Sequence, residues 1–222
     1  MVPGEDCLNA TDGYSSMTTG PDNNESMHFV QHACQYYATA RFAMHAGCMP
    51  VMGILFHHTV EMLLKGGLAQ KRKLPELEAM RHRLKKKIWP AFKEDFPDRN
   101  LSRHDGTISR LDKFDAIRYP DEILRHGMGG RAEWRGPVTE VISYGRMPTV
   151  RQYAVVVSDI DDLVAEVFEI GGWNPGVFMG RNPAALEAIK RQNDCSEFLT
   201  TVFGVQGAPA RPVERLASNA SQ

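Results

Sequence analysis

The amino-acid sequence predicts an all-α fold: an antiparallel up-down helical bundle of four to six helices, with a small irregular or hairpin insertion near residues 127–148. Three observations carry this expectation. Apolar residues recur at helical spacing through most of residues 26–204, the connections between those segments are short, and one run, "VTEVISYG" at 138–145, reads as a small strand. A chain of 222 residues, 42% hydrophobic and 24% charged, has the make-up of one substantial domain. Residues 1–25 and 205–222 hold too few large apolar groups to offset chain entropy, so both are expected to be disordered tails around a single domain at 26–204.

The first helix is expected over "SMHFVQHACQYYATARFAMHAG", with Phe29, Ala33, Tyr36, Ala40 and Met44 on one side, Ser26 as N-cap and Gly47 as stop. A second starts near Pro50, which suits a first helical turn, and ends at or just after Gly66-Gly67. A third, about 75–96, aligns Leu77, Met80, Leu84, Ile88 and Phe92, and Pro90 is expected to kink or end it. A shorter pattern at 107–119 runs through Ile108, Leu111 and Phe114. Residues 149–170 form an amphipathic helix, with Tyr153, Val157, Ile160, Val164, Val167 and Phe168 inward and Asp159, Asp162, Glu166 and Glu169 outward. Asn182-Pro183 marks the cap and first turn of a last helix reaching about residue 202.

The cysteines at 7, 34, 48 and 195 lack CxxC or zinc-finger spacing, which points to a reduced, cytoplasmic setting. The first residues lack the basic start and apolar run of a secretory signal, and no stretch has the length to cross a bilayer, so no membrane partner is expected.

Two polar features stand out. On the second helix, His57, His58, Glu61 and Lys65 project into one arc of about 100° while the rest of the circumference is apolar, which makes the helix central with a single wet strip. One reading makes that strip a solvated edge with an i,i+4 Glu61–Lys65 pair; the other makes it a groove that binds phosphate or exchanges a proton. His57 and Glu61 stand at i,i+4, as do His28 and His32, but there is no HExxH and no third ligand at a telling distance, so neither metal nor cofactor is expected. The second feature is residues 71–93, where nine Lys or Arg face two Glu; the segment carries +7 in a chain whose formal net charge is -1. Arg81, His82, Lys85, Lys86, Lys87 and Trp89 project off the apolar stripe, a basic face with an aromatic suited to single-stranded RNA. The bland counterpart is a solvated face neutralised by the acids of 159–169, with Trp89 packed on another helix.

The ordered segments "YYATARFAMHAGCMPVMGILFHHTVEMLLKGGLAQ", "MRHRLKKKIWPAF" and "IRYPDEI" resemble the HEPN superfamily, helical domains of higher eukaryotes and prokaryotes, over about residues 27–170. The resemblance implies an antiparallel bundle, commonly a homodimer, that binds RNA or nucleotides in a stress, toxin-antitoxin or defence context, with a nucleotidyltransferase-like or antitoxin partner. It also implies an alternative, a metal-independent endoribonuclease, because catalytic members share an Arg followed after four to six residues by a His. Here "RNLSRH" supplies Arg99 and His104, Arg99 to stabilise transition-state charge and His104 to move a proton. The pair falls before the shorter helix, whereas the family places it at the start of a late one. A structural protein–protein interaction module is the third alternative.

Overall fold

The computed structural model describes residues 23–136, 150–179 and 182–202. Residues 1–22 of the expected N-terminal tail, the whole expected C-terminal tail and the run 138–145 therefore lie outside the described residues. Helix α1 (Asn23–His45) begins earlier than expected, and Ser26 is no cap: it sits buried inside the helix, its hydroxyl donating to the Gly66 carbonyl at 2.8 Å. Gly47 does stop the helix, at φ +66, with the Cys48 N–H bonded to Ala43 and the Gly47 N–H to Met44. Helix α2 (Val51–Leu68) returns antiparallel to α1, so that Ser26 meets Gly66 near one end and Tyr37 meets Phe56 further along.

Close approach of the helices explains the glycines of α2. A Cβ at Gly66 would stand 2.9 Å from Val30 of α1, one at Gly67 would stand 2.6 Å from the Phe92 ring, and one at Gly53 would overlap Phe114. They are contact points rather than helix stops. Helix α2 is central as expected, packed by α1, by the segments around Leu84–Asp112 and by a late helix.

The third predicted helix is broken. Helix α3 (Leu74–Met80) ends where Arg81 turns to φ +51, a π-helical turn follows at Leu84–Ile88, and α4 (Trp89–Asp95) continues from it. Pro90 lies in the first turn of α4, directly after the π turn, and the helical segment runs on past it to Asp95. Leu77, Met80, Leu84, Ile88 and Phe92 are nevertheless all buried. A 3₁₀ turn (Leu101–His104) leads into α5 (Asp105–Asp112), a second (Lys113–Ile117) follows, and α6 (Pro120–His126) precedes strand β1 (Met128–Glu133).

Strand β1 pairs in parallel with β2 (Arg151–Val156), in register Met128↔Arg151 to Glu133↔Val156. This corrects one expectation, since residues 151–156 are strand rather than helix; of the expected insertion near 127–148, residues 128–133 supply the other strand of the pair. Tyr153 and Val157 satisfy both periods, and the β-branched run Val155-Val156-Val157 favours the extended form. Helix α7 (Val157–Gly171) then ends at Gly172 with φ +66. A short α8 (Pro175–Phe178) precedes α9 (Pro183–Lys190), capped as expected by Asn182, whose Oδ1 accepts from Ala184 N–H at 2.9 Å; α10 (Ser196–Thr200) replaces the continuous last helix.

A buried polar network ties α1, α7 and the α9 end together. Arg41, fully buried, donates from Nη1 to both oxygens of Asp161 at 2.6 Å and from Nε to the Ala188 carbonyl at 2.8 Å, and it also reaches the Arg191 carbonyl. Tyr37 donates to Asp161 at 2.6 Å and accepts from Asn193 at 2.9 Å. No described helix is long and apolar enough to cross a membrane.

Candidate functional site

The fold gathers His57, His58, Glu61 and Lys65 of α2 around one carboxylate and adds His82 from the turn after α3. Glu61 is fully buried; Lys65 Nζ lies 2.8 Å from its Oε1, and His82 Nδ1 lies 3.0 and 2.9 Å from its two oxygens. His57 Nε2 and His58 Nδ1 stand 3.6 and 3.5 Å from Oε2, ion-pair separations too long for good hydrogen bonds. The strip is therefore not wet: His57 is 1% exposed, and of these groups His82 opens most to solvent, with its side chain 46% exposed. Helical projection places these groups together correctly but does not show that neighbouring segments cover them.

Burial by itself pushes the Glu61 carboxyl up, but His57, His58, Lys65 and His82 around it outweigh burial and hold it well below the usual carboxylate range. His57 is oriented from outside the strip. Its Nδ1 lies 3.0 Å from the Leu111 carbonyl, which can only accept, so Nδ1 carries a proton that it donates there, and Nε2 is buried without a hydrogen-bond partner.

Beside this cluster runs a basic ridge. Arg81, Arg83, Lys85, Lys86 and Lys87 are exposed, and among the described residues none of them makes an ion pair with a carboxylate. The acids of α7 neutralise other cations instead: Asp159 holds Arg110, Asp161 holds Arg41, Glu166 holds Arg103 and Glu169 lies 3.7 Å from Arg99. Trp89 does not belong to the ridge. It is 3% exposed, stacked on Phe92, with its indole N–H donating to Asp105 at 2.6 Å. The projection assumes an uninterrupted helix, and the break at Arg81 with the π turn resets the phase so that Trp89 faces inward.

Arg99 and His104 are drawn onto separate carboxylates. Arg99 lies near Glu169 and borders a surface depression of about 570 Å³ also lined by Glu94, Asp95 and Asp98. His104 is buried, its Nε2 2.7 Å from Glu166, which Arg103 also grips. Glu166, expected outward, is thus buried. Burial pushes its carboxyl up, but His104 and Arg103 outweigh that and hold it below the ordinary value. Sequence reasoning misses Arg83, Arg103 and the Leu111 carbonyl. Arg83 is legible from its neighbours in the basic run; the other two matter only through partners distant in the chain.

No family model, no curated protein and no solved structure matches this chain.

Proposed function

We propose that this chain is a HEPN-like RNA- or nucleotide-associated binding module, non-catalytic and cytoplasmic, that grips phosphate through the ridge at 81–87. The resemblance of its ordered helical segments supports the family, the homodimer, the antitoxin or nucleotidyltransferase-like partner and the stress or defence setting. One observation carries the binding surface: among the described residues, five exposed cations lack carboxylate partners while most other arginines are paired. With Trp89 buried, recognition rests on phosphate contacts rather than base stacking, so it is electrostatic and sequence-tolerant.

The test is binding of a labelled single-stranded RNA, followed by fluorescence anisotropy between about 50 and 200 mM salt. Affinity falls steeply with salt, and the Lys85→Ala/Lys86→Ala/Lys87→Ala triple variant flattens the log–log slope by about 0.7 for each phosphate that is no longer neutralised. Flat wild-type binding sinks the proposal. RNA cleavage in EDTA decides the endoribonuclease alternative: equal rates for wild type and His104→Ala remove Arg99 and His104 as its site.

A further inference from the structure

Among the described residues, His57 Nε2 is one of the buried side-chain nitrogens without a hydrogen-bond partner. The His57 ring donates from Nδ1 to the Leu111 carbonyl, and Nε2 faces Oε2 of Glu61 across 3.6 Å inside the protein, with no hydrogen bond between them. A ring nitrogen and a carboxylate oxygen at that separation can share a cation. His58 presents Nδ1 to the same oxygen at 3.5 Å, and these three ligand atoms all lie within 4.8 Å of one another.

We propose that His57, His58 and Glu61, completed by His82, bind a divalent transition-metal cation of the zinc class. Bonds of about 2.0–2.1 Å to tetrahedral zinc put neighbouring ligand atoms about 3.4 Å apart, and the separations of 3.5 and 3.6 Å fall beside that value. His82 Nδ1, 2.9 Å from the shared oxygen, stands at the mouth with its ring half exposed and able to turn toward the ion. The outer contacts suit the same task. The Leu111 carbonyl holds the ring through Nδ1 so that Nε2 points at Glu61, and Lys65 holds Oε1 at 2.8 Å so that Glu61 offers Oε2. Three imidazoles with one carboxylate select zinc, cobalt, nickel or copper over magnesium or calcium, which take oxygen ligands.

The helix supplies this geometry economically. Glu61 lies one turn beyond both histidines, at i+4 from His57 and i+3 from His58, so the two rings flank it from the preceding turn. The fourth ligand is invisible at regular spacing because it arrives from the turn after α3.

The experiment strips the full chain with a chelator and titrates it with Co²⁺ and then Zn²⁺. One ion per chain is expected, with the intense visible absorption of tetrahedral Co²⁺ and a Zn²⁺-dependent rise in melting temperature. His58→Gln and His82→Gln, the two more exposed ligands, each weaken Zn²⁺ binding at least about tenfold with unchanged far-UV circular dichroism. They keep the test valid should the buried His57→Gln fail to fold. Substoichiometric binding, a weak six-coordinate cobalt spectrum, or wild-type affinity in both His58→Gln and His82→Gln overturns the site and leaves a proton on His57 as the charge facing Glu61.

Discussion

Asp161 and Glu61 are both buried carboxylates on apolar helices, and their surroundings differ in one respect. Around Asp161 the hydrogen bonds close: Arg41 and Tyr37 donate to it, the rest of Arg41 is spent on the Ala188 and Arg191 carbonyls, and Asn193 satisfies Tyr37. Around Glu61 they do not close, since His57 Nε2 has no hydrogen-bond partner and His82 stands open to solvent. A closed network can only hold helices together. An open one retains capacity for a ligand.

The largest effect should come from breaking the closed network. Arg41→Met leaves a buried carboxylate without its cation and should destabilise the fold by about 3–5 kcal/mol in denaturant unfolding. Burial already pushes the Asp161 carboxyl up to about 6 against the pull of Arg41, so the variant should take up a proton there. Glu61→Gln follows, at about 1–3 kcal/mol near neutral pH, because Lys65 loses its charged partner. Here pH sharpens the contrast. The Glu61 carboxyl is depressed in the folded state, so its stabilisation is complete above the unfolded value of about 4.3 and is lost as pH falls below it. Denaturant midpoints measured from pH 7 down to pH 3 should therefore drop more steeply for wild type than for Glu61→Gln; parallel profiles would show that the depression is absent.

His104→Ala tests the intermediate case. Glu166 keeps Arg103 when His104 is removed, so a loss of about 0.5–1.5 kcal/mol in thermal unfolding is expected. Lys86→Ala, at an exposed ridge position with no described ion pair, should leave the melting temperature unchanged while lowering RNA affinity.

Much of the helical core is legible in the sequence because burial follows a 3.6-residue period: Leu77, Met80, Leu84, Ile108, Leu111 and Phe114 are all inside. Gly47 and Asn182 are legible as local turn chemistry. Phase is lost wherever the backbone leaves the regular helix, which is why a regular projection puts Trp89 on the surface. Strand β2 escapes the same reading because alternating and helical spacing share apolar positions there, and its pairing is with a distant segment. For the cluster on α2, membership can be read from helical projection. Its burial, its tautomer and the approach of His82 depend on Leu111 and on the turn after α3, which lie on other parts of the chain.

The crossing of α1, α2 and α4 at Gly66 and Gly67 also bears on descent. A side chain at either position must displace Val30 or Phe92, so drift there requires a simultaneous change on a neighbouring helix. Histidines and lysines can come and go as ligands change, whereas this glycine pair is tied to the helix crossing itself. Distant relatives should therefore be recognisable by the paired glycines before they are recognisable by any residue of the site.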